Sequence, residues 1–182
     1  HPIFALKSAA FVIAHKAQSL ASELANPLRT LESETSRMTR LMDDLLQFAR
    51  PDKLTRREIV VADLLDDAVS AFRAAAPEAT LEIQVNVGPG IESWSLDRDR
   101  MIQVVVNLLM NVRKHAATAT HVALAAERTP DGSLRLSVTD NGAGIDPQLR
   151  GDLFEPFRTG GNGTGLGLAI VRRIVEGHLG TI

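Results

Sequence analysis

The stretch Asn162-Gly163-Thr164-Gly165-Leu166-Gly167-Leu168-Ala169-Ile170-Val171 sets three glycines at alternate positions, immediately before an apolar run with helical spacing. Glycine has no Cβ to forbid positive φ, so successive backbone N–H groups at such a junction can curl around an anion. The N-terminus of the following helix adds partial positive charge. The pattern suits a phosphate cradle. Read alone it serves equally as a tight turn, since glycine is the ordinary residue of turns. The segments upstream decide between the two.

Asp140-Asn141-Gly142-Ala143-Gly144-Ile145 follows the alternating run Leu134-Arg135-Leu136-Ser137-Val138-Thr139, which predicts a half-buried strand. A carboxylate at the end of that strand, with two glycines beside it, sits at the lip of a cleft. Being acceptor-only, it suits an exocyclic amine such as that of adenine. The same tripeptide Asp-Asn-Gly is also plain turn chemistry. Farther upstream, Gln103, Asn107, Asn111, Lys114 and His115 are spaced to share one face of a helix whose remainder is apolar. Asparagine is only a moderate helix former, so two of them one turn apart need a reason. Their carbonyl oxygens are hard ligands, suited to a Mg²⁺ held jointly with nucleotide phosphates, and Lys114 and His115 bring cationic or donor groups toward those phosphates. A solvated helix face accounts for Lys114 and His115 as well, and for the asparagines less well.

Taken in order, with Phe154-Glu155-Pro156-Phe157 between the last two, these blocks resemble the ATP-binding domain of sensor histidine kinases, members of the wider Bergerat-fold ATPases. The resemblance covers residues 58–182. Residues 107–116 look like the N box, 140–145 the first glycine box, 154–157 the F box and 163–168 the second glycine box. It implies an α+β two-layer sandwich preceded by a dimerising helical hairpin, and a cytoplasmic kinase portion of a bacterial sensor. ATP and Mg²⁺ are the implied cofactors. Asn111 and Asn107 would hold the Mg²⁺, with Lys114 and His115 near the phosphates, and Asp140 would bind the adenine amine. Gly142, Gly144 and Ile145 would shape the base pocket, joined by Phe154 and Phe157. Gly163, Thr164, Gly165, Leu166, Gly167 and Leu168 would wrap the triphosphate. Gln103 stands where many relatives carry an acidic residue. An amide cannot take a proton as a general base does, so Gln103 is assigned positioning only. Short, glycine-containing Arg158–Asn162 would form a small lid without its own helix.

Phosphoryl transfer by such a site is mostly positioning and charge neutralisation, so the nucleophile belongs on another element. Residues 1–50 read as two helices, one with the apolar stripe Ile3, Leu6, Ala10, Ile13, the other with Leu31, Met38, Leu41, Leu45, Phe48. Pro27 disfavours helical geometry at Asn26 and predicts a connection there. A hairpin of this size cannot bury both faces alone, so a homodimer through residues 1–50, as a four-helix bundle, is expected. In the family's acceptor motif, His-Glu-Leu-Arg-(Thr or Asn)-Pro-Leu, the slot filled by histidine is serine in Ser22-Glu23-Leu24-Ala25-Asn26-Pro27-Leu28, which also lies too near Met38. The better match takes Pro2 and Ile3 as the motif's last two residues, which sets the phosphoacceptor histidine upstream of His1. On that register residues 1–182 alone are not expected to undergo autophosphorylation. His1 itself is the weaker candidate, and His15, His121 and His178 read as helix-face or strand-edge residues. A response-regulator receiver domain is the implied partner.

The charged, Pro-containing Arg50–Glu58 reads as a linker, giving a hairpin over 1–50, a linker over 51–58 and a catalytic domain over 59–182. A short strand from Ile59, a helix near 62–76, strands over 81–87, near Trp94, 120–127 and 133–140, and the helix bearing the asparagines predict one mixed sheet under helices. Thr181-Ile182 reads as the start of a further strand, and the chain as cut short at both ends. A net charge of -2 offers no basic surface for nucleic acid, and the absence of cysteine excludes disulfides and thiolate metal sites. No apolar run approaches the roughly 20 residues of a membrane helix, so membrane contact is expected only through upstream segments. Two other readings are a degenerate kinase serving as a dimeric scaffold and a Bergerat ATPase of the gyrase, chaperone or mismatch-repair type. The second should lack the heptad hairpin.

Overall fold

The computed structural model describes residues 24, 26–27, 29–31, 33–35, 38–39, 41–46, 54–116, 118–147, 149–158 and 164–182. The chain divides into two compact units, residues 1–45 and 46–182. In the first, every described residue is helical. Asn26 and Pro27 are helical too, against the expected connection. Proline removes only its own N–H, so the turn after it can still form, and the Thr30 hydroxyl donates to the Asn26 carbonyl at 3.1 Å. Leu24, Leu31, Met38 and Met42 are exposed, whereas Leu41 and Leu45 are half-buried.

The second unit is α+β. Strand β1 (Arg57–Val60) leads directly into helix α1 (Val61–Ala75), followed by β2 (Glu82–Val87), β3 (Ser93–Leu96) and helix α2 (Arg98–His115). Then come β4 (His121–Arg128), β5 (Leu134–Asp140), a single 3₁₀ turn (Arg150–Asp152) and helix α3 (Gly167–Gly177). The strands form two sheets where a single one was expected: β1 pairs antiparallel with β3, with Ile59 opposite Trp94, and a second sheet has the order β2-β4-β5. Its central strand β4 runs parallel to β2 and antiparallel to β5, the ladder ending at the pair Val122–Asp140. Thr181 and Ile182 lie in no strand.

Along β4 every second residue points inward, so Val122, Leu124 and Ala126 are buried. Against them pack Leu65, Ala68 and Phe72 of α1 and Val105, Leu109 and Val112 of α2. Each large side chain so buried contributes about 1.5–3 kcal/mol. The exposed ion pair Arg98–Asp67 contributes at most about 1 kcal/mol, so apolar packing holds the helices to the sheet.

Two ties orient α3 against α2. Asp97 caps α2: its carboxylate accepts from the Arg100 N–H at 3.2 Å and from the Thr55 N–H at 2.8 Å. The Asp97 N–H donates to His178 Nε2 at 3.0 Å, and His178 Nδ1 donates to the Ile174 carbonyl at 2.8 Å. His178, expected as a plain helix-face residue, therefore joins the end of α3 to the start of α2. Arg56 donates to the Gly177 carbonyl at 2.7 Å and holds the strand before α1 to the same corner. At the other end, Asn107 Nδ2 donates to the Gly167 carbonyl at 3.3 Å. The two helices thus run antiparallel, and the N-terminus of α3 meets the half of α2 that carries the asparagines.

Candidate nucleotide site

Helix α2 forms where the sequence placed it because its apolar residues recur at helical spacing, with Val104, Val105, Leu109 and Val112 buried. That burial turns Gln103, Asn107 and Asn111 to a half-buried face, and Lys114 and His115 lie exposed in the last turn. Arg100 donates to Gln103 Oε1 at 3.2 Å, which fits a positioning amide. With its Nδ2 committed to Gly167, Asn107 keeps Oδ1 as its acceptor, the atom a hard cation needs.

Asp140 stands exposed at the end of β5, and its Oδ1 accepts the Gly142 N–H at 2.9 Å. A Cβ on Gly142 would lie 2.7 Å from the Ala116 Cβ and 2.8 Å from Asp140 Oδ1. Only glycine lets this loop sit against Ala116, the residue that ends α2. The carboxylate is thereby braced on the same helix that holds α3. Gly144 has φ +78, and Ile145 beside it is exposed.

Phe154 is half-buried and Phe157 exposed. Arg172 of α3 reaches back to Glu155 between them at 3.4 Å. The Glu176 carboxylate, hydrogen-bonded to Arg172 Nε at 2.9 Å, holds the guanidinium above its ordinary pKa, with Glu155 adding to it. Phe157 takes φ +64 and donates its N–H to the Gly165 carbonyl at 2.9 Å, so the F box and the glycine loop cross. Leu166 is fully buried under the loop, and Thr164 Oγ1 accepts the Leu166 N–H at 3.4 Å. Helix α3 begins at Gly167 with no capping side chain. A helix start without a side-chain cap suits an anion, and Leu168 lies in that first turn. Gly163 and residues 159–162 of the expected lid lie outside the described residues.

The structure thus brings Asn107 to the α3 N-terminus, Asp140 and Gly142 to the α2 C-terminus, and Phe157 to Gly165. Among the described residues no group of three His, Cys, Asp or Glu side chains is placed to hold a metal ion. The donors present, neutral amide oxygens, suit a Mg²⁺ shared with phosphates. A groove of about 390 Å³ lined by Ile59, Val60, Asp63, Asp66, Asp67 and Arg98 shares no residue with this set. Among the described residues no helix is long and apolar enough to cross a membrane.

A carboxylate braced at the end of one asparagine-bearing helix and a glycine loop tied to its middle, on this sheet, define an ATPase domain of the Bergerat class. Residues 96–182 match the family of histidine kinase-, DNA gyrase B- and HSP90-like ATPases. The chain is 37% identical over 169 residues to the probable sensor histidine kinase TcrY of Mycobacterium tuberculosis, covering 87% of this chain and 35% of that protein. It is 33% identical over 192 residues to the sensor histidine kinase TrcS of the same organism, covering all of this chain and 38% of that one. Full-length ShkA, crystallised in complex with AMPPNP, superposes with a TM-score of 0.71 at 29% identity, over 85% of this chain and 34% of that one. Residues 96–182 thus form a domain of that ATPase family, and the curated relatives the chain resembles are sensor histidine kinases. The chain spans little more than a third of the length of these curated relatives.

Proposed function

We propose that this chain is the nucleotide-binding core of a protein histidine kinase. It binds Mg-ATP and passes the γ-phosphoryl to a histidine set upstream of residue 1 by the register of Pro2 and Ile3, and thence to an aspartate of a response-regulator receiver domain. The observation that carries this reading is the pairing of Asn107 with Gly167 while Asp140 and Gly142 rest on the far end of the same helix. Base recognition and phosphate binding are then spaced by one rigid element.

In this reading Asp140 accepts from the adenine amine, and the α3 N-terminus, Thr164 and the glycine loop receive the phosphates. Mg²⁺, when bound on Asn111 with Asn107 Oδ1 and the phosphates, supplies charge neutralisation. Lys114 and His115 add positive or donor groups, and Gln103 orients without moving a proton. The exposed apolar residues of the N-terminal unit, Leu24, Leu31 and Met38 spaced seven apart, support pairing with a second copy over residues 1–50.

Full-length protein incubated with γ-labelled Mg-ATP is expected to take up label that is lost in acid and kept in base, on a histidine. Label that survives acid, or none in a protein that binds ATP, would contradict the proposal.

A further inference from the structure

We infer that Asn141 is a positioning residue for base recognition, a clamp whose carboxamide fixes the Asp140 carboxylate against the turn that follows α2. The inference rests on the nucleotide reading above. The β4–β5 ladder ends at Val122–Asp140, so Asn141 is the first residue beyond it and has no ladder partner to hold it. Its side chain supplies the holding. Oδ1 accepts the N–H groups of Thr120 and His121 at 2.9 and 3.0 Å, and Nδ2 donates to Thr120 Oγ1 at 3.0 Å. The Asn141 N–H adds a longer bond to the His121 carbonyl at 3.3 Å.

The chemistry of the clamp is directional. An amide nitrogen only donates, so Thr120 Oγ1 must accept, and its own hydrogen is left for His121 Nδ1 at 2.7 Å. The ring hydrogen then sits on Nε2, facing Glu82 Oε2 at 2.9 Å. The Thr120 carbonyl meanwhile accepts the Glu82 N–H at 2.9 Å, which anchors the clamped turn to β2. A side chain that both accepts twice and donates is needed, and asparagine at this length provides it.

The consequence falls on Asp140. Its Oδ1 is held by the Gly142 N–H, so the direction of Oδ2 follows the backbone of residues 140–142. Asn141 is the middle of that segment. With it fixed, Oδ2 presents a lone pair where an exocyclic amine can meet it. A guanine, with a carbonyl oxygen at that position, would meet acceptor with acceptor.

The test is the ratio of Mg-GTP to Mg-ATP dissociation constants, measured by calorimetry on the chain and its variants, with thermal melts alongside. Asn141→Ala is expected to lower the preference for ATP about tenfold, mostly through weaker ATP binding, with GTP binding changed less than about threefold. Asn141→Asp keeps both backbone acceptances but loses the donation to Thr120 Oγ1, and is expected to recover only part of the ratio. Equal losses for both nucleotides, or an unchanged ratio with a lower melting temperature, would overturn the inference and leave Asn141 a stabilising residue only. Should Asn141→Ala fail to fold, Thr120→Val, which removes just the hydroxyl end of the clamp, decides: a lowered ratio supports the inference and an unchanged one overturns it. Wild-type protein that binds neither nucleotide, or both alike, overturns the nucleotide reading itself, a failure seen before any variant is made.

Discussion

Asp140→Asn is expected to weaken Mg-ATP binding roughly 30- to 150-fold, a loss of about 2–3 kcal/mol for a hydrogen bond to a charged acceptor. The direction follows from the local bond. Oδ1 of Asp140 is taken by the Gly142 N–H, and the asparagine oxygen would keep that bond. The amide nitrogen would then stand where Oδ2 stood, setting donor against the adenine amine. Asp140 is exposed and its loop bond survives the change, so stability should move by less than about 0.5 kcal/mol. Calorimetric titration and a thermal melt on the same variant separate the two effects. Normal affinity in a folded variant would remove Asp140 from base recognition.

Gly165→Ala is expected to abolish detectable ATP binding and to lower stability by about 3 kcal/mol or more. Gly165 has φ +71, a region that costs an L side chain about 1–2 kcal/mol by itself. Its Cβ would also lie 2.6 Å from the Phe157 carbonyl carbon, 2.8 Å from the Phe157 Cα and 2.9 Å from the Arg158 nitrogen. All are backbone atoms and cannot swing aside. Phe157 is already in the left-handed region, and its N–H is bonded to the Gly165 carbonyl, so the crossing has no slack. Gly90→Ala is the control: φ is +79, yet nothing lies within 4 Å of its Cβ. That variant should lose about 1 kcal/mol and bind ATP normally. Equal behaviour of the two variants, in unfolding and in nucleotide titration, would show that strain alone matters and the crossing does not.

The helices and strands of the second unit were legible because their apolar periods are clean: Val122, Leu124 and Ala126 alternate, and Val105, Leu109 and Val112 recur at helical spacing. Partner choice was not. Alternation tells which face of a strand is buried but not which strand lies beside it, so the pairing of β1 with β3 apart from the other three strands was hidden. Pro27 misled for a related reason, since a residue's local preference yields where the following helix continues. Long-range polar ties left no sequence signal. His178 meets Asp97 across 81 positions, although Asp97 before a helical run does carry the mark of an N-cap. Asn141 passed as a turn residue because asparagine is expected in turns, and its bonds are made with Thr120 and His121 on another segment. The nucleotide-site candidates were easier to read, because each box breaks a local rule: asparagines inside a helix, a carboxylate at a strand end, glycines at a helix start.

The most direct measurement is a crystal structure of this chain with Mg²⁺ and a non-hydrolysable ATP analogue. The adenine amine is expected within hydrogen-bonding distance of Asp140, the metal on Asn111, and the phosphates between α2 and the N-terminus of α3. A nucleotide seated elsewhere, or one whose base turns away from Asp140, would contradict the nucleotide reading.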